Sequence, residues 1–214
     1  MLGVGLGYRP EEDRAFGVPD KRMRHYEDKL AVTRALLDGE PVTASGPGYE
    51  LENAVISMRL EPRPQLHIGV ISEPGARRAG RYGDGWVAST TVPLREIAAL
   101  DAAFREPHGG PGVELPALRD VVVRGTDEEA RAIAKPFLDP PPPPPGSSPA
   151  FKPDVDVEGA YLIGSPETVI AKIREHAAVG VDHFIFRPQR PGVSLPEAKE
   201  TLRILASDVL PAFR

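Results

Sequence analysis

The sequence contains no cysteine, which removes disulfides, thiolate nucleophiles and thiolate metal sites, and fits a reducing compartment; a cytoplasmic protein is expected. Histidine is scarce, at 5 in 214 residues, and none shows ligand spacing beside a carboxylate, so no metal is expected. No stretch approaches the ~18 apolar residues of a spanning helix. Met1-Leu2-Gly3-Val4-Gly5 has neither the basic flank nor the apolar run of a signal peptide, so no membrane role is expected. Positive charge is not in excess either. The 26 Lys and Arg against 31 Asp and Glu leave a formal charge of −5 and a pI near 5.6, which argues against nucleic acid or an anionic membrane surface as partner.

What is present is a 41% apolar content with charges of both signs, enough for one sizeable core, so a single domain over 1–214 is expected. Its composition breaks at residues 139–155, where Pro140 to Pro145 and Gly146-Ser147-Ser148-Pro149 predict an extended, solvated loop.

Along the rest of the chain β-type and α-type patterns alternate. Strands are predicted at about 2–6, 66–71, 85–88, 120–123 and 182–186, each followed by a helix. Met23, Tyr26, Leu30, Thr33 and Leu37 recur at helical spacing within a helix from Pro19 to Leu37. Glu40 to Pro64 reads as a long decorated loop with small β excursions at Tyr49-Glu50-Leu51 and Ile56-Ser57-Met58. Thr126 and Glu129 are spaced as a capping box before a helix interrupted near Pro136. Ser165 and Pro166 open another helix as N-cap and N1, and Leu195, Ala198, Leu202, Leu205 and Val209 line a terminal one. Strict βα alternation predicts an α/β fold with a parallel sheet, either a flavodoxin-like open sheet or a (β/α)8 barrel, and five strands by count favour the open sheet.

Three ordered stretches shift that preference. They are Leu2-Gly3-Val4-Gly5-Leu6-Gly7-Tyr8-Arg9-Pro10-Glu11-Glu12 with Phe16-Gly17-Val18-Pro19, then Ile68-Gly69-Val70-Ile71-Ser72-Glu73-Pro74-Gly75-Ala76 through Gly85-Trp86, and finally Tyr161-Leu162-Ile163-Gly164-Ser165-Pro166-Glu167 with Val181-Asp182-His183-Phe184-Ile185-Phe186-Arg187. Together they resemble the luciferase-like monooxygenase family of FMN-dependent and coenzyme F420-dependent oxidoreductases. The resemblance implies a partial (β/α)8 TIM barrel: five βα units matching strands 4–8, with the first three strands lying upstream of Met1. It also implies FMN or coenzyme F420 as cofactor and a small organic molecule as substrate.

The candidate cofactor site is the turn Ser72–Ala76. The first N–H groups of a helix lack acceptors and sit at the positive end of its dipole, so they can hold a phosphate without charged side chains. Ser72 offers a hydroxyl, Gly75 lets the backbone approach closely, and Ala76 offers an N–H without bulk; Ser72 merely capping its own helix is the competing expectation. Arg77 and Arg78 follow the turn but are as well explained as solvated. Gly5 and Gly7 either let a flat ring pass or relieve crowding, while Gly69 and Ser89 stand where the resemblance lines the cofactor pocket. Arg187, after the last strand, is the candidate substrate contact, against pairing with a surface carboxylate. His183 is expected to be a buried structural histidine with one hydrogen bond, and His25 to be solvated.

Three functional expectations follow. One is an oxidoreductase whose chemistry belongs to the bound cofactor, with catalytic side chains upstream of Met1. Another is a non-catalytic, truncated fragment that binds no cofactor or needs a partner, because open strand edges at Leu2–Leu6 and Val181–Phe186 invite association, including homo-oligomers. The third is an unrelated phosphate-binding barrel or flavodoxin-like module.

Overall fold

The computed structural model describes residues 1–7, 10–17, 22–58, 61–110, 113–139 and 157–214. These form two compact units, 1–87 with 101–113, and 88–100 with 114–214. In chain order the elements are β1 (Leu2–Val4), α1 (Pro10–Ala15), α2 (Arg22–Leu37), β2 (Val42–Gly46), β3 (Tyr49–Ala54), β4 (Leu66–Val70), α3 (Glu73–Tyr82), β5 (Gly85–Ala88) and α4 (Leu94–His108). They continue with β6 (Pro116–Val123), α5 (Asp127–Leu138), α6 (Val157–Ala160), β7 (Leu162–Gly164), α7 (Pro166–Ala178), β8 (His183–Arg187) and α8 (Leu195–Ile204), which runs on through a π turn at Leu205–Val209 and a 3-10 turn at Leu210–Phe213. The predicted Pro-rich loop lies outside the described residues apart from Asp139.

In the first unit β1 pairs parallel to β4, Leu2 with Leu66 and Val4 with Ile68, and β4 neighbours β5. Leu66, Ile68 and Val70 point into the core on the even positions of β4, where Trp86 and Phe104 are also fully buried. Each such apolar side chain contributes roughly 1.5–3 kcal/mol by leaving water. The start of β4 is fixed electrostatically as well. Asp84 accepts from the Leu66 N–H at 2.8 Å and from both terminal nitrogens of Arg63, and Arg34 closes an ion pair with it at 2.8 Å. Burial alone would raise the Asp84 carboxyl, but these donors and charges outweigh it and hold the pKa at about 2.

In the second unit Ala88 at the end of β5 pairs with Ala117 of β6. The first half of β6 pairs parallel to β8 and its last three residues to β7. β6 therefore feeds two cores by alternation. Val121 and Val123 join Leu162, Val169, Ile173 and Val209, whereas Val122 joins Ala130, Ala134, Phe137, Tyr161 and Ile163.

The α/β class and the parallel pairing match expectation, and several details are corrected. β6 starts at Pro116 rather than 120, and β7 is a strand that the tally of five left out. In the segment 40–64 the β excursion expected at Tyr49-Glu50-Leu51 is present within β3, and it is larger than expected: β2 and β3 form an antiparallel hairpin around Pro47-Gly48, with φ +80° at Gly48 as a type II turn requires. Residues 56–58 form no strand. α5 runs through Pro136, two residues before its last residue Leu138, where only one helical hydrogen bond is forfeited. The capping box at Thr126 and Glu129 and the Ser165 cap are both present. His183 is not buried: its side chain is 46% exposed, 3.8 Å from Glu114. His25 is not solvated: it is half-buried, and its Nδ1 is shielded from solvent.

Candidate functional site

The predicted site residues fall into two groups, one in each unit. In the first unit β4 delivers the chain to Ser72, the N-cap of α3, with φ −160° and ψ 158°. Its hydroxyl makes no capping hydrogen bond, although the side chains of Thr126, Ser165 and Ser194 all cap their helices. The expectation that Ser72 merely caps its own helix is thereby overturned. Ala76 is fully buried, and its N–H closes the first helical turn on the Ser72 carbonyl at 2.9 Å, so it offers no open donor. Pro74 has no N–H, which leaves the amides of Glu73 and Gly75 as the turn's donors without intrahelical acceptors.

Within this turn a β-carbon on Gly75 would stand 3.3 Å from the Ser72 Oγ, closer than ordinary contact, whereas one on Gly69 in β4 would be in ordinary contact with the Val4 carbonyl at 3.6 Å. Gly5 follows β1 one residue beyond the Val4–Ile68 pair, and a β-carbon there would meet nothing within 4 Å. Crowding does not explain this glycine, whereas Gly7 is accounted for by its backbone, at φ +78°. The arginines behind the turn are engaged elsewhere: Arg77 with Glu73 at 3.0 Å and with Glu106, Arg78 with Glu27 at 2.7 Å.

In the second unit Ser89 follows β5, and its loop to Val92 is held by β6. Arg119 has no exposed surface. It donates to the carbonyls of Ser89 (3.0 Å), Leu118 (2.9 Å) and Val92 (3.1 Å), and from Nε to Nε2 of His176 (3.0 Å). An arginine can only donate, so His176 Nε2 is an acceptor and its Nδ1 carries the proton shared with the Lys172 carbonyl at 2.8 Å. Burial lowers the His176 pKa to about 4, the Lys172 carbonyl works against that, and the Arg119 charge adds to it. Burial likewise lowers Arg119, to about 10, with Asp120 opposing; at neutral pH Arg119 is charged and His176 is not.

Asp120, the next residue of β6, is also fully buried. It accepts from Arg187 at 2.5 and 3.0 Å, and Arg190 stands 3.5 Å away. Arg187 reaches Thr90 at 3.4 Å. The candidate substrate arginine thus pairs with a buried carboxylate rather than a surface one.

Sequence reasoning missed Arg119, Asp120, Thr90 and His176. The available signal was Arg119-Asp120 inside the apolar run Pro116–Val123, since two adjacent charges in a buried strand require partners.

A family profile described as luciferase-like monooxygenase matches residues 1–183. The F420-dependent glucose-6-phosphate dehydrogenase of Beutenbergia cavernae is 31% identical over 93 residues, 42% of this chain and 27% of that protein. The F420-dependent hydroxymycolic acid dehydrogenase of Mycobacterium tuberculosis is 30% identical over 109 residues, 49% of this chain and 29% of that protein. These matches span less than a third of either relative. Among solved structures, an F420-dependent secondary alcohol dehydrogenase in complex with an F420-acetone adduct superposes with a TM-score of 0.78 at 20% identity, over 99% of this chain and 69% of that one. The FMN-bound oxygenating constituent of 3,6-diketocamphane monooxygenase from Pseudomonas putida gives 0.70 at 18%, over 99% and 70%. At such identities the likeness is one of fold.

Proposed function

The chain belongs to the luciferase-like monooxygenase family, and from that premise we propose that it binds FMN or coenzyme F420 by the phosphate at the Ser72–Ala76 turn, as an oxidoreductase acting on a small organic molecule. The observation that carries this reading is the Ser72 hydroxyl, which is not spent on capping and stands beside the Glu73 and Gly75 amides. Three such donors at the positive end of a helix suit a phosphate. Gly69 and Gly5 fit a flat ring, because neither carries a side chain and the ideal β-carbon position at Gly5 is open. In the second unit the proposed contacts are Ser89, on the loop after β5, for a cofactor, and Arg187, whose guanidinium Asp120 orients, for a substrate.

When bound, the cofactor supplies the hydride or oxygen chemistry; the protein orients it and excludes water. Named relatives use F420 and one solved neighbour carries FMN, so both are tested. FMN and F420 are titrated separately into the folded protein, following absorbance and fluorescence. Saturable binding of one of them below millimolar concentration, weakened at least tenfold by Ser72→Ala, is expected. No binding of either by folded protein removes the reading.

A further inference from the structure

Arg119 and Asp120 are consecutive residues of β6, so their side chains leave opposite faces of the strand, yet both lead to the loop that follows β5. Arg119 holds that loop by its backbone, through the carbonyls of Ser89 and Val92. Asp120 holds it by a side chain, since the Arg187 that it orients donates to the Thr90 hydroxyl. Thr90 is itself only 6% exposed. A buried guanidinium without acceptors is costly, and here three carbonyls and a neutral histidine supply them.

We propose that the Arg119-Asp120 pair is a positioning device for the loop after β5: it clamps residues 89–92 from backbone and side chain at once, and so fixes Ser89, the cofactor contact proposed in this unit. That role of Ser89 rests on the function proposed above; the clamp itself does not. His176 completes the device. By accepting from the Arg119 Nε while its own Nδ1–H is held by the Lys172 carbonyl, it sets the plane of the guanidinium, so that the two terminal nitrogens face the loop. A lysine cannot do the same, because a single ammonium lacks the flat fork that reaches Ser89, Val92 and His176 together.

Arg119→Lys and Thr90→Val are compared with the unaltered protein by hydrogen–deuterium exchange and by titration with FMN and F420. Arg119→Lys is expected to speed exchange at the 90–92 amides at least tenfold while the first turn of α3 keeps its rate, and to weaken binding of whichever cofactor the unaltered protein takes about tenfold. Thr90→Val, which keeps shape and removes only the hydroxyl, gives the same pattern at about threefold and carries the test if Arg119→Lys fails to fold. A merely structural arginine would lower the unfolding midpoint without singling out this loop. Unchanged exchange at 90–92 in a folded variant overturns the clamp. Loosened exchange with undiminished cofactor affinity overturns its role in positioning Ser89. Loosened exchange in a protein that binds neither cofactor supports the clamp and removes the cofactor reading instead.

Discussion

Gly80 of α3 lies against the carbonyl oxygen of Phe104 in α4 so closely that a β-carbon at position 80 would overlap it, and it would also stand 2.7 Å from Pro107. A glycine inside a helix ordinarily costs about 0.5–1 kcal/mol relative to alanine, so alanine would stabilise an open site. Here the obstacle is backbone, which cannot rotate away. Gly80→Ala is therefore expected to destabilise by about 1–3 kcal/mol, in the range of overpacked cores. Urea denaturation measures it, and a gain in midpoint would show that the two helices can separate at no cost.

The buried His176 predicts how stability depends on pH. Its folded pKa of about 4 lies below its ordinary 6.5, so between those values the unfolded chain binds the proton and the native chain does not. Stability from this group is complete above pH 6.5 and falls as the pH drops toward 4, at up to about 1.4 kcal/mol per pH unit. His176→Gln, whose side-chain oxygen can still accept from Arg119, should flatten that limb. Thermal melts between pH 7 and 4.5 that show the same slope for both proteins would contradict the neutral assignment.

These two sites mark what the sequence made legible. Periodicity located β4 and α3, because Leu66, Ile68 and Val70 alternate and Ala76 and Ala79 recur on one face. Local chemistry located the caps at Thr126 and Ser165, whose partners lie three residues away. What escaped depends on distant residues. Arg119 reads as a strand boundary until one sees that His176, 57 residues later, and the 89–92 carbonyls receive it. β7 is three residues long, too short to show a period of two, and is a strand only because β6 runs beside it. At the candidate site the Ser72 turn was visible as a motif, but the idle state of its hydroxyl belongs to geometry alone.

Asp84 gives a second acid limb, in a lower window. Its carboxyl is held at about 2 against an ordinary 3.8, so its contribution is present above pH 4 and is lost as the pH falls through 2. Asp84→Asn leaves Arg63 and Arg34 with Asp38 as their one remaining anion among the described residues and weakens the acceptor for the Leu66 amide. A loss on the order of 1–3 kcal/mol at pH 7 is expected, shrinking as the unaltered protein is acidified. A constant difference from pH 6 to pH 2 would assign the loss to shape rather than to charge.

The caps themselves separate stability from binding at Ser72. Replacing a serine or threonine that caps its helix by alanine costs about 1 kcal/mol, and Thr126, Ser165 and Ser194 each accept from an amide three residues on. Thr126→Ala, Ser165→Ala and Ser194→Ala should all show that loss in denaturant. Ser72 has no such bond to lose, so Ser72→Ala should leave the midpoint within about 0.5 kcal/mol of the unaltered protein. In FMN or F420 titrations the order should invert. Ser72→Ala weakens binding, while Ser194→Ala on α8 leaves it unchanged, because its hydroxyl is committed to its own helix. If Ser72→Ala instead destabilises as much as the other three, its hydroxyl caps α3 in solution, and the turn loses its claim on a phosphate.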